Sequence, residues 1–208
     1  MASLLTAARR VALALFLACP ATWIVGSAKA ADGPGRPVVE RFHQALVGIM
    51  KDAAKLGFAG RYKRVEPEVR SAFDLAQMTR LSVGAPWAEL TPAQQEQAVD
   101  VFSRWTATNY AARFDGYDGE KFETTGERST QNGTMVQTRL VKPEGEPVVL
   151  NYLMRESGGA WRIVDIYLSG TISELAVRRS EFASILKRDG FDGLMQAIEK
   201  RIAEMMSK

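Results

Sequence analysis

The side chains able to do chemistry are few and scattered. The only histidine, His43, falls at the edge of an apolar helical stripe. Its imidazole could serve as a general base there, or rest at the rim with its nitrogens on solvent or a backbone carbonyl. Asp165, between Val164 and Ile166, is the better candidate for a perturbed carboxylate, because apolar surroundings penalise the charged form. It could equally pair with an arginine or cap a helix end. Glu66, Glu68 and Asp74 have no metal-ligand spacing, and one histidine cannot build a multi-histidine site. The Asn132-Gly133-Thr134 segment matches a glycosylation sequon and equally a hairpin turn. There is no Gly-rich phosphate loop, no nucleophile elbow and no Cys/His cluster. No metal or cofactor is expected, and an enzyme would have to rest on Asp165 with a nearby tyrosine.

The 208 residues suit one domain, and the excess of 27 Lys+Arg over 24 Asp+Glu suggests a nucleic acid or membrane surface until its location is considered. Arg9, Arg10 and Lys29 are the only charges before residue 31, so residues 31–208 balance at 24 basic and 24 acidic side chains. No nucleic-acid partner is expected. The same stretch reads as a secretory signal peptide: Arg9-Arg10, an apolar run from Val11 to Val25, and Ala28-Lys29-Ala30 as the cleavage site after Ala30. The run, about 15 residues broken by Pro20, is short of the ~20 that span a bilayer. The single cysteine, Cys19, lies within it, so residues 31–208 form one cysteine-free domain.

In that domain, Val39, Phe42, Leu46, Ile49, Met50, Ala53 and Leu56 recur at helical spacing before Gly57 stops the helix. Residues 61–73 contain Pro67 and predict two short turns or a kinked helix. Asp74 to Gln77 opens a short helix ending near Gly84. Thr91-Pro92-Ala93-Gln94 combines a capping Thr, Pro at the first helical position and a reciprocal Gln, predicting a helix to about Phe114. Its apolar residues spread over roughly 220°, against the ~100° stripe of a surface helix, so it must be covered on two sides.

Four strands are predicted at 120–128, 134–142, 147–156 and 160–169, joined by turns short enough to make an antiparallel meander. In the third, Val148, Leu150, Tyr152 and Met154 face one way, yet Val149 and Leu153 face the other. Either helices cover both faces or one face lines an apolar cavity. Thr171-Ile172-Ser173-Glu174 caps a helix ended by Asp189-Gly190, and a last helix follows. The order predicts one α+β domain whose N- and C-terminal helices pack on a curved four-stranded antiparallel sheet.

Phe73-Asp74-Leu75 with Met78 and Trp87, then Gln95, Phe102, Tyr110, Phe114-Asp115-Gly116-Tyr117 and Gly119, form an ordered set. Trp161-Arg162-Ile163-Val164-Asp165, Arg179-Ser180-Glu181-Phe182 and Asp192-Gly193-Leu194 complete it. Over residues 37–205 the chain resembles the exported lipid-shuttle family known as toluene-tolerance or maintenance-of-lipid-asymmetry component C. Within that family, Gly57-Phe58-Ala59-Gly60-Arg61-Tyr62, Asn151-Tyr152-Leu153-Met154 and the segment Tyr167 to Leu175 look like the hopanoid biosynthesis-associated protein M branch. The resemblance implies a fold related to the nuclear-transport-factor-2 type, with an apolar pocket. It also implies a periplasmic carrier of one lipid between an inner-membrane transporter complex and the outer membrane, with a hopanoid as the ligand the branch favours and a phospholipid, favoured by the wider family, as the alternative.

Periodicity places Phe102, Trp105, Tyr110 and Phe114 on the helical wall of such a pocket, with Val136, Leu140, Val148, Leu150, Tyr152 and Met154 on the sheet. Asn109 and Arg113, one turn apart, are candidates to meet a polar head group at the mouth, or to be satisfied by internal bonds. An exported module that binds another protein is the remaining class, and it would carry an apolar surface patch in place of a cavity.

Overall fold

The computed structural model describes residues 33–207, so the expected signal peptide lies outside the described residues. Helix α1 (Arg36–Lys51) has Pro37 as its second residue, where a missing N–H costs nothing, and buries Val39, Phe42, His43, Leu46, Ile49 and Met50. The Glu127 carboxylate caps it from across the molecule, accepting the backbone N–H groups of Gly35 and Arg36 at 3.2 Å each. Asp52 separates α1 from α2 (Ala53–Ala72), which is itself broken at Gly57, where φ is +59°. The expected stop at Gly57 is therefore a kink between two helical pieces. Around Pro67 the chain stays helical, because only Gly57 leaves helical dihedrals, and the two short turns expected there do not form.

Helix α3 (Leu75–Val83) is capped by Asp74, whose carboxylate accepts the Gln77 N–H at 3.0 Å. After a short 3-10 turn at Ala85–Glu89 comes α4 (Pro92–Arg113). Thr91 and Gln94 cap it reciprocally: the Thr91 hydroxyl accepts the Gln94 N–H at 3.3 Å and the Gln94 side chain accepts the Thr91 N–H at 2.9 Å. The broad apolar arc is covered as expected, since both α2 and the C-terminal helix pack against α4.

The sheet is an antiparallel meander of β1 (Lys121–Thr130), β2 (Gly133–Val141), β3 (Val148–Ser157), β4 (Ala160–Leu168) and β5 (Ile172–Ser173). The two-residue β5 goes beyond the four strands predicted; a turn through Ser169 and Gly170, at φ +50° and +79°, brings it back onto β4. Bulges interrupt β1 at Thr124/Gly126 and the β3–β4 pairing next to Leu153/Met154, adding local twist. Helix α5 (Glu174–Met206), capped by Ser173 and not by Thr171, breaks at Gly190, where φ is +68°.

Most of the core lies between the helices and the inner sheet face, on Phe42, Phe73, Phe102, Val136, Tyr152, Met154, Ile163, Phe182, Leu194 and Ile198. A parallel bridge between Phe73 and Ile163 ties the α2–α3 joint to β4. The outer face carries a separate small cluster of Met135, Leu153 and Val164 with Tyr167 against it, which accounts for apolar residues on both sides of β3.

Candidate functional site

The helices do not fill the space over the inner sheet face. A cavity of about 470 Å³ remains between β2–β4, α4 and the start of α5, within the ~300–1,000 Å³ usual for ligand sites. Helix α4 contributes Phe102, Trp105, Thr106, Asn109, Tyr110 and Arg113, and its C-cap Phe114 follows. Their three- and four-residue spacing sets them on one helical face. The sheet contributes Leu140, Val148, Leu150, Tyr152, Ile166 and Leu168, with Lys142 just beyond β2. Met78, Glu174, Leu175 and Arg178 complete the wall.

Of the residues expected to line a pocket, Phe102, Trp105, Tyr110, Phe114, Leu140, Val148, Leu150 and Tyr152 are on its wall, with Asn109 and Arg113 beside them. Val136 and Met154 are elsewhere: both are fully buried in the packed core. They face the same way as Leu150, but at their end of the sheet the start of α1 closes over them. A Cβ built on Gly35 would stand 2.8 Å from the Met154 side chain and 3.2 Å from that of Val136.

Thr106, Lys142, Ile166, Leu168, Glu174, Leu175, Arg178 and Met78 go beyond the wall residues expected from the sequence. The β3–β4 register pairs Leu150 with Leu168 and Tyr152 with Ile166, so the alternation of β4 points to the last two. The signal is obscured by the bulge, which makes Val164 an extra residue and reverses the phase of the strand. Nothing in the 3.6 period distinguishes the cavity side of the first α5 turn.

The polar groups divide into those already satisfied and those left open. The Asn109 side-chain N–H donates to the Trp105 carbonyl at 2.8 Å, an internal bond within α4. The Arg178 guanidinium lies 4.8 Å from the centre of the Trp105 ring and is paired with Glu181 at 2.8 Å and Glu174 at 3.2 Å. Arg113 and Lys142 are exposed at the mouth. Behind the wall, His43 is 4 % exposed and its Nε2 lies 3.0 Å from the Tyr152 hydroxyl, while its ring stacks on Phe122 at 3.9 Å between centres. His43 is therefore a core residue and not the rim residue expected. Burial holds its pKa down at about 3 and pushes the Tyr152 hydroxyl up, so the pair is a neutral Tyr–His hydrogen bond.

Asp165 does not enter the cavity. It lies on the other side of the sheet, in a shallower groove of about 280 Å³ shared with Leu153, Val164 and Tyr167. Its carboxylate accepts from the Ser173 hydroxyl at 2.6 Å, the Ile166 N–H at 2.7 Å and the Leu175 N–H at 3.1 Å. Burial pushes its pKa up against the pull of these donors. The group holds the turn between β4 and the start of α5, the helix-capping role left open by the sequence. No cluster of His, Cys, Asp and Glu suited to a metal occurs among the described residues, and no helix there is long and apolar enough to cross a membrane.

The family profile described as MlaC protein matches residues 40–200. This chain belongs to the MlaC protein family. No curated protein matches it in sequence. Among solved structures, this MlaC-family chain is similar to a phospholipid-binding protein from Ralstonia solanacearum, solved in complex with a phospholipid. The likeness has a TM-score of 0.73 at 23 % identity and covers 83 % of this chain and 99 % of the other. The two therefore share one fold, the open sheet with helices packed over one face. The resemblance to the toluene-tolerance or maintenance-of-lipid-asymmetry component C family is thus met at the level of the family.

Proposed function

We propose that the protein is a periplasmic carrier that holds one lipid in the cavity and moves it between an inner-membrane transporter complex and the outer membrane, after cleavage of residues 1–30. The observation that carries this reading is the cavity itself: a largely aromatic and aliphatic space, open on one side, whose charged wall residue Arg178 is ion-paired with Glu174 and Glu181. Each methylene moved from water into such a space gains ~0.8 kcal/mol, so an acyl chain has strong reason to stay inside while the carrier crosses an aqueous compartment. The one deep polar pair, His43 and Tyr152, is neutral and bonded to itself, which leaves no unsatisfied charge to oppose an apolar ligand. Catalysis is not part of the reading, because the carboxylate best placed by sequence serves a turn outside the cavity.

A phospholipid is the ligand favoured here. Arg113 and Lys142 stand at the mouth to meet a phosphate, and the similar Ralstonia structure was solved with a phospholipid. A hopanoid is the second reading, on the likeness of the Gly57–Tyr62, Asn151–Met154 and Tyr167–Leu175 segments to the hopanoid-associated branch. The test is native mass spectrometry of the mature protein taken gently from its own periplasm, followed by identification of the extracted lipid. Stoichiometric phospholipid supports the first reading and stoichiometric hopanoid the second. Protein that carries no lipid overturns both.

A further inference from the structure

Two tyrosines line the cavity, and they differ in one respect. The Tyr152 hydroxyl is bonded to His43. The Tyr110 hydroxyl has no hydrogen-bond partner among the described residues. Nor is its oxygen sealed in the core: the enclosed side-chain atoms without a partner are Ser82 Oγ and Thr108 Oγ1. The Tyr110 ring is wedged edge-on against Phe42 at 5.0 Å, beside Phe73 at 5.8 Å and stacked with Phe114 at 5.7 Å. With the ring held by these neighbours, the accessible part of the side chain is the part that borders the cavity. Burial pushes the hydroxyl's pKa well above its ordinary value, so it remains a proton donor at any physiological pH.

The position of Tyr110 along α4 gives that donor a meaning. Arg113, exposed at the mouth, lies three residues on, about 4.5 Å along the helix axis. Phe102, in the buried interior, lies eight residues back, about 12 Å along it. Tyr110 therefore stands one turn inside the exposed Arg113, and the charge beyond it, Arg178 over the Trp105 ring, is taken up by Glu174 and Glu181. A glycerolipid has one kind of group at that level, below its phosphate and above its chains: the acyl ester, whose carbonyl oxygen accepts hydrogen bonds and donates none.

Resting on the carrier reading, we infer that the Tyr110 hydroxyl donates a hydrogen bond to the ester carbonyl of a bound acyl lipid and makes the cavity select ester-linked lipids over their ether-linked counterparts. A dialkyl lipid of the same chain length fills the same volume but leaves the hydroxyl unpaired, and an unpaired buried donor weakens binding. Tyr110 is thus a specificity-determining residue, and the chemistry it recognises is the carbonyl and not the head group.

The test loads the delipidated mature protein with an equimolar mixture of diacyl and dialkyl phosphatidylethanolamine of equal chain length and reads the retained ratio by native mass spectrometry. The wild type is expected to retain the diacyl form about fivefold to tenfold over the dialkyl, the worth of one neutral hydrogen bond. Tyr110→Phe keeps the ring and its packing, and its ratio is expected to fall to near one. An even ratio in the wild type overturns the inference, and so does a ratio that stays unchanged in Tyr110→Phe. A wild type that retains neither lipid contradicts the carrier reading itself, which separates the two failures.

Discussion

His43 Nε2 meets the Tyr152 hydroxyl at 3.0 Å behind the cavity wall, and among the described residues neither side chain makes a second hydrogen bond. The imidazole's pKa is depressed from 6.5 to about 3 by burial, so in the folded protein it stays neutral where the unfolded chain takes up a proton. Stability from this group is complete above pH 6.5 and is lost as the pH falls from 6.5 toward about 3. At pH 5 the loss amounts to roughly 2 kcal/mol. The unfolding free energy from urea titration should drop between pH 7 and pH 5 by about that much more in the wild type than in His43→Gln. Equal pH slopes in the two proteins would contradict a neutral buried imidazole.

Leu150 lies on the cavity side of β3 and Val149, its neighbour, is 38 % exposed on the other side. Leu150→Asp places a carboxylate against the ligand's chains, at a desolvation cost. Lipid retained on purification should drop at least tenfold, with Val149→Asp retaining wild-type amounts. Equal retention in the two variants would show that the ligand does not lie against the inner sheet face.

Asp165 joins the turn after β4 to the first turn of α5 through three accepted hydrogen bonds. Asp165→Asn replaces one acceptor oxygen by a donor that faces donors, which costs about 1–3 kcal/mol of stability. Well below its melting temperature, the variant should hold as much lipid as the wild type. A variant of unchanged stability that had lost its lipid would give Asp165 a functional role that its bonds do not suggest.

Glu127 on β1 caps α1 through the N–H groups of Gly35 and Arg36. A carboxylate there also meets the positive end of the helix dipole, so Glu127→Ala should cost about 1–2 kcal/mol in urea unfolding. Glu127→Gln keeps an acceptor without the charge and should fall between. An unchanged midpoint in Glu127→Ala would mean that α1 is held by its buried face alone.

The elements legible in the sequence are those whose signals are local. Thr91 with Pro92 and Gln94, Asp74 with Gln77, and the glycines at 57 and 190 act within one turn of themselves, and each marks a boundary in the fold. The cavity face of α4 and of β3 could be read from periodicity because those elements run regularly from end to end. Three features depend on residues far apart and could not. Val136 and Met154 are removed from the cavity by the approach of Gly35, more than a hundred residues earlier. Val164 is the extra residue of a bulge that sends Asp165 outward and Ile166 inward, opposite to strict alternation from Ile163. His43 acquires its partner from a strand 109 residues away, so its core position has no local sign.

The break at Gly190 divides α5 into two tasks. The half before it lays Leu175 and Arg178 on the cavity wall and buries Phe182 beside the ring of Trp105, while the half after it serves the core alone through Leu194, Ile198 and Ile202. A helix without the break would carry any shift at its start through to its end. With it, the direction in which the first half meets the cavity is set apart from the direction in which the second half enters the core.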